Sequence, residues 1–351
     1  MDIGKIKLIF NTIYYLKPIQ VYYRIYYFIR NSLFGIKVYK NNIPNFNPII
    51  WSNEFNYQNS YFKKDNSFIF LNIAHSFAKK IDWNYNNYGK LWTYNLNYFD
   101  FLNQENISIE TGLSLIMDYL NNDNLLIDGK EPYPISLRGI NWIKFLSKNK
   151  ISDKYIDKKL YNNYYLLLKN IEYHLLGNHL LENAFSLLFG AFYFQDEKLY
   201  SKSKKILISE LNEQILGDGC HFELSPMYHQ IILLRVLDSI KLIKLNNFKN
   251  DDLLDLLKYY ANKMLSWLQE VTFNNGDIPM VNDSANGIAP KTNQLIEYAN
   301  KLKVHVEKIK LNHSGYRMIR KNKYEIFIDV GNLKASYQPG HTHSDIFNFI
   351  L

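Results

Sequence analysis

Three stretches of this chain carry side chains whose types and spacing suit proton transfer and the gripping of an anion. The first is Gly217-Asp218-Gly219-Cys220-His221-Phe222-Glu223-Leu224-Ser225-Pro226-Met227-Tyr228-His229-Gln230. Ser225-Pro226 is a helix-start signal, because Ser accepts a bond from an orphan N–H and Pro tolerates the first helical position. Tyr228, His229 and Glu223 therefore gather at a helix N-terminus, whose partial positive charge favours anions and is expected to make the Tyr228 phenol ionise more easily. A well-capped core helix with a locally bonded Tyr accounts for the same residues.

The second stretch, Gly177 to Ser186, places His179, Glu182, Asn183 and Ser186 as a polar stripe on an otherwise apolar helix, with Asn178 at its start. The stripe contains no Lys or Arg, so it reads as the wall of a cleft rather than wet surface; Asn178 also reads as a simple N-cap. In the third, Pro134 to Trp142, Arg138, Asn141 and Trp142 share a helix face. An Arg fork there can hold a carboxylate or sulfate bidentately. The Leu91 to Asp100 segment adds rings and amides, Tyr94 among them, that suit stacked sugars or, equally, packing between helices. Near the end, His341, His343 and Asp345 alternate and would point to one side of an extended strand, a geometry for catalysis or for metal.

The elements that must position these residues are helices for most of the chain. Apolar residues at helical spacing predict helices over 109–121, 139–148, 155–176, 179–194, 198–216, 226–245, 251–270 and 293–302, with no β-alternation among them. Paired helices without a fixed repeat predict a toroid rather than a short-repeat solenoid. Residues 40 to about 80, broken by Asn and Pro, read as irregular. After Leu302, short β-rich runs at 316–320, 324–330 and 333–337 mark the start of a β domain.

At 351 residues and 47% hydrophobic content the chain can bury a large core, and its net charge of +8 favours a polyanionic partner. The cations are scattered rather than blocked, which argues against a nucleic-acid arm. One cysteine, Cys220, excludes an internal disulfide. Residues 1–30 form neither a signal peptide nor a membrane span, because Lys, Arg and Pro18 interrupt them. Their tyrosines beside Arg24 and Arg30 leave two readings, a docked helix and contact with a membrane surface. The compartment stays open between cytoplasm and envelope.

Taken together, Tyr133-Pro134-Ile135-Ser136-Leu137-Arg138, Gly177-Asn178-His179 through Asn183, Asp218-Gly219 with Phe222 to His229, Gly276-Asp277-Ile278-Pro279 with Asn282-Asp283-Ser284, and Pro339 to Asp345 resemble the heparinase II/III family of polysaccharide lyases. The similarity is strongest to its members from bacterial surface-polysaccharide gene clusters. The resemblance implies a mainly α fold: a helical segment over 1–44, an (α/α) toroid over 45–305, and the beginning of an antiparallel β-sandwich over 306–351. It implies β-elimination on a uronic-acid-containing glycan such as a glycosaminoglycan or alginate, with no cofactor required. Asn178 would bind the carboxylate, Tyr228 and His341 would share the base and acid roles, and Arg138, Asn141, His179, Glu182, His229 and Tyr94 would support substrate. In some relatives a second His of the last motif, here His343, holds a structural zinc. A hydrolase, with carboxylates drawn from Glu182, Glu223, Asp277 and Asp283, and a non-catalytic glycan-binding remnant are the alternatives. Residues 316–351 suffice for only about four strands. The chain as given is therefore expected to have low activity until a longer sheet or a partner completes it.

Overall fold

The computed structural model describes residues 11, 13–35, 48–55, 57–332, 336–337 and 348–351. Among them the helices are α1 (Pro18–Leu33), α2 (Lys90–Tyr98), α3 (Ile109–Asn121), α4 (Pro132–Lys148), α5 (Lys154–Lys169), α6 (Gly177–Phe194), α7 (Glu197–Gln214), α8 (Pro226–Leu245), α9 (Leu253–Val271) and α10 (Thr292–Lys301). Local chemistry sets many of the starts. Ser108 Oγ accepts the Thr111 N–H at 3.1 Å, Asp153 caps α5 through Tyr155 and Ile156, and Asp196 caps α7 through Lys198 and Leu199. Pro18, Pro132 and Pro226 each open a helix.

Contacts run between neighbours in sequence and also between alternate helices, α2 with α4, α4 with α6, α6 with α8 and α8 with α10. That pattern makes the even-numbered helices an inner ring and α3, α5, α7 and α9 an outer one, which is an (α/α) toroid. The inner helices read as such: α6 and α8 are buried nearly all round, whereas α7 keeps an exposed Lys-rich face. Polar side chains on inner helices therefore need partners inside the protein.

Most helix ends fall within two residues of expectation, and the larger departures are these. Helix α4 begins at Pro132 rather than Gly139, because both prolines fall in the first turn, where no N–H is required of them. Helix α5 stops at Lys169, and residues 170–176, Ile171, Leu175 and Leu176 among them, form a connection instead. Within 40–80, Tyr61–Phe62, Ser67–Phe70 and Ile73–Ser76 (β1, β2, β3) pair as a small antiparallel sheet.

After the toroid, β4 (Tyr316–Lys321), β5 (Tyr324–Asp329) and β6 (Phe349–Ile350) form one antiparallel sheet in the order β4-β5-β6. Of the expected 333–337 strand, Ser336 and Tyr337 form a turn and Leu333 to Ala335 lie outside the described residues. The sheet is tied to the toroid by Asp218, whose Oδ2 accepts the N–H groups of Asn312 and Ser314 and the Ser314 hydroxyl at 2.7–3.1 Å. Burial works against that charge, but these donors hold the carboxyl below its usual range.

Asp157 on α5 shows the opposite balance. It is fully buried, takes the Tyr193 hydroxyl at 2.8 Å on Oδ1, and has no partner on Oδ2. Burial pushes its carboxyl up to about 6. The folded state thus holds this proton more tightly than the unfolded state, so stability falls as pH rises from the unfolded value near 4 through about 6. Asp157→Asn keeps the Tyr193 acceptor and removes the charge. It is expected to stabilise the protein by roughly 2 kcal/mol at pH 8 and by almost nothing at pH 4, checked by denaturant titration at both.

Candidate active site

Asn178 is placed by an unusual piece of backbone. Leu176 adopts φ 66° and ψ −153°, a region that side chains other than glycine rarely enter, and Gly177 follows at φ 57°. Gln214 Nε2 donates to Gly177 O at 3.0 Å, and Gln214 Oε1 is itself held by His221 Nε2 at 3.0 Å. Asn178 is therefore the second residue of α6 rather than its N-cap. Its backbone N–H donates to Glu223 Oε1 at 3.2 Å, while its side-chain Oδ1 is buried without a hydrogen-bond partner. An amide can present either its oxygen or its NH2 by rotating about its terminal bond, so this group is a ready ligand for a carboxyl.

Tyr228 comes from a second backbone device of the same kind. Leu224 has φ 57°, and its carbonyl takes the Tyr316 hydroxyl at 2.5 Å and Asn282 Nδ2 at 2.8 Å. Ser225 then caps α8, its Oγ accepting the Tyr228 N–H at 3.3 Å and lying 3.2 Å from Ser284 Oγ. The helix start is as expected, but the phenol is not. Burial first, then the Glu223 and Asp283 carboxylates, push Tyr228 up to about 12, so it is a protonated phenol at neutral pH. The positive helix terminus does not outweigh two nearby anions and lost water.

Glu223 links the two halves, bonded to Asn178 and acting on Tyr228. Burial first raises the pKa of Tyr98 and of Tyr133 well above the usual phenol value, and Tyr228 is among the groups whose charge adds to both shifts. From there a row of rings leads away: His179 lies 4.4 Å from Tyr133, Tyr133 5.8 Å from Tyr98, and Tyr98 6.1 Å from Tyr94. Tyr94 donates to Glu131 and carries Lys90 over its face at 5.2 Å. His179 Nδ1 meets Glu172 Oε1 at 3.0 Å, and Asn183 Nδ2 holds the other Glu172 oxygen at 2.9 Å. Burial disfavours a charged His179, yet the Glu172 bond and charge outweigh it and raise the imidazole pKa.

The structure does not bring the other expected residues to the cleft. Arg138 is fully buried, its guanidinium 4.8 Å over Tyr119 and its Nη1 donating to Asn97 O at 3.3 Å, so it holds helices together rather than a substrate. Asn141 bridges Tyr98 O, Asp100 and Asn103. Glu182 is 1% exposed and takes Arg235 Nε on both oxygens at 3.0 Å, so its charge is already paired inside the protein. His229 accepts the His221 N–H on Nδ1 and donates from Nε2 to Met264 O. Complete burial lowers its pKa to about 4, so it is a neutral packing residue.

Tyr133, Glu172 and Gln214 escaped the sequence reading. Tyr133 had a signal, since it opens the Tyr-Pro-Ile-Ser-Leu-Arg motif; Glu172 and Gln214 had none. His341 and His343 lie outside the described residues. No group of three His, Cys, Asp or Glu that could hold a metal comes together among the described residues.

The model of the heparinase II/III N-terminus matches residues 135–312, just over half of the chain. A heparin-sulfate lyase of Bacteroides stercoris is 30% identical over 131 residues, covering 35% of this chain and 19% of that protein. A solved heparinase III superposes with a TM-score of 0.57 at 17% identity, over 94% of this chain and 62% of its own. A second heparinase III does so with 0.53 at 15%, over 78% and 52%. These superpositions establish the toroid-plus-sheet fold, and the chain spans less than two thirds of each relative's length.

Proposed function

This chain belongs to the heparinase II/III family, and on that premise we propose that it forms the toroid side of a lyase that breaks a uronate-containing acidic glycan by β-elimination. The observation that carries the reading is Asn178, whose side-chain amide makes no hydrogen bond through its buried oxygen and can turn its NH2 to a carboxylate, and which follows the strained bend at Leu176 and Gly177. A buried polar group left unsatisfied by the fold is stabilised by the ligand that completes it.

The chemistry follows from what each group can hold. Asn178 bonds the uronate carboxyl and steadies the enolate that forms when the C5 proton leaves. The electron pair then makes the C4–C5 double bond as the C4–O bond breaks, and the departing oxygen needs a proton. Tyr228, kept protonated by burial and Glu223, suits that acid role. The base role then falls to His341, on the family resemblance. The rings of Tyr133 and Tyr94, each in contact with the buried Tyr98, stack the sugars on one side of the broken bond.

Glycosaminoglycans are the first substrates to try, followed by alginate. Elimination is expected to raise ultraviolet absorbance as the unsaturated uronate accumulates. New reducing ends without that absorbance would mean hydrolysis, and tight binding with neither would mean a non-catalytic glycan-binding protein.

His179 gives this reading a pH signature. Its imidazolium, favoured by Glu172, sets a positive charge beside Tyr133, the two rings lying 4.4 Å apart. KM is expected to rise as pH climbs through its raised pKa, above the ordinary imidazole range. His179→Gln should have a KM several-fold higher and independent of pH in that window. The His179–Glu172 pair also adds stability that is present below the unfolded imidazole pKa and lost through the folded one. An unaltered pH profile in the His179→Gln protein would remove the residue from substrate binding.

A further inference from the structure

Helix α1 is mounted with its polar side inward. Gln20, 1% exposed, donates to Leu175 O at 3.1 Å, Tyr27 to Ile171 O at 2.6 Å, and Arg30 to Asn170 Oδ1 at 2.5 Å, while Tyr23 stacks 4.6 Å from Tyr173. All four contacts reach the 169–175 connection. At 100° per residue Ile25 faces away from that side with Tyr22 and Ile29 next to it, and Leu33, Tyr26 and Ile19 lie on the flank that leads back to Arg30; all are exposed, Tyr22 at 62% and Leu33 at 68%. Phe28, at 73%, borders them. A surface helix of a globular protein ordinarily does the reverse, and an apolar face left uncovered by the described residues marks a surface that something apolar covers.

Charge narrows what covers it. From Ile3 to Asn53 the sequence has seven Lys and Arg and no Asp or Glu. Beside α1, a cavity of about 680 Å³ opens where the rings of Tyr22 and Tyr26 meet Arg30, Lys169 and Lys202, and no acidic residue lines it. An apolar face rich in Tyr, rimmed by cations and next to a basic cavity, is what the headgroup layer of an anionic membrane takes up. A soluble anionic glycan would fit the cavity and leave the apolar face in water. A second copy meeting this one across a two-fold axis would set basic surface on basic surface. Among the described residues no helix is long and apolar enough to cross a membrane, so α1 would lie in the interface plane.

We propose that α1 seats the protein on an anionic lipid surface, with its outer face at the boundary of headgroup and acyl chain and a lipid phosphate in the cavity formed with Lys169 and Lys202. The inference is independent of the glycan reading. Its test is flotation of the full chain with vesicles of phosphatidylcholine alone or mixed with phosphatidylglycerol. Wild type is expected to bind the anionic vesicles roughly tenfold or more over the neutral ones, less as salt is added. Ile25→Glu with Ile29→Glu should lose at least about tenfold of that binding, and Lys202→Glu should lose several-fold. All three positions are off the packed side of α1 or of α7, so unchanged circular dichroism and melting are expected to accompany the loss. Absence of binding by wild type, equal binding to both vesicle types, or retention by the Ile25/Ile29 variant would overturn the proposal. So would a dimer, seen by light scattering, that this variant splits.

Discussion

Tyr228→Phe is expected to lower kcat by roughly a thousandfold while the protein stays folded and still binds its glycan. The exchange removes one hydroxyl. It leaves the ring, half-buried at the start of α8, and the Ser225 cap, which is made to the Tyr228 backbone N–H. Proton transfer by a positioned group contributes about 10²–10⁴-fold, and a phenol held at about 12 cannot be replaced by water at the same place. On the proposed mechanism the loss should fall on kcat, since the ring is kept. Asn178→Ala should share this signature, because the enolate assigned to it in that mechanism exists only along the reaction path. Initial rates from the absorbance of the unsaturated product, set beside binding of the same polymer, decide the matter. Near wild-type turnover in Tyr228→Phe would end the assignment of Tyr228 as the proton donor.

The second large effect concerns stability. Glu182 on α6 and Arg235 on α8 form a bond that is almost wholly out of solvent, and beside it Lys144 on α4 meets Asp238 on α8 at 2.5 Å with the Tyr298 hydroxyl also on Asp238. Inner helices α4, α6 and α8 are thus joined through charge, and α10 through the Tyr298 hydroxyl. Glu182 holds the buried guanidinium firmly protonated. Removing one member strands the other, which costs about 3–5 kcal/mol, whereas replacing both by apolar residues of similar size is close to neutral. Glu182→Ala is therefore expected to shift the urea midpoint strongly downward at constant slope, and Glu182→Met with Arg235→Met to recover most of it. If the double exchange is as damaging as the single one, the pair is not what joins these helices.

The helical part of the fold was largely legible, and the reasons are local. The 109–121 and 226–245 helices have the expected bounds because Ser108 and Ser225-Pro226 punctuate them. The 155–176 helix was read too long because Ile171, Leu175 and Leu176 continue an apolar spacing, although they serve the core and the underside of α1 rather than another turn. The 61–76 sheet escaped notice because strands of two to four residues, broken by Lys63-Lys64-Asp65, carry no periodicity. At the site, residue types identified the right stretches but not which side chains face the cleft. In an inner helix every side is interior, so a polar residue such as Glu182 or Arg138 can be satisfied by a neighbouring helix as readily as by substrate. Tyr228 shows the other gap. Its titration depends on Glu223 and Asp283, and only folding brings Asp283 near.

Both halves of the site hang from a leucine in left-handed backbone, Leu176 two residues before Asn178 and Leu224 four before Tyr228, each side chain sunk in the core. The core holds these bends against their own preference, so they are the places where a modest loosening is relieved first. On warming, the protein should therefore stop working before it melts. Half-lives of activity would shorten over a range of temperature in which circular dichroism and calorimetry still record an intact toroid. For anyone using such an enzyme, its ceiling would be set by two leucines rather than by its ring of helices.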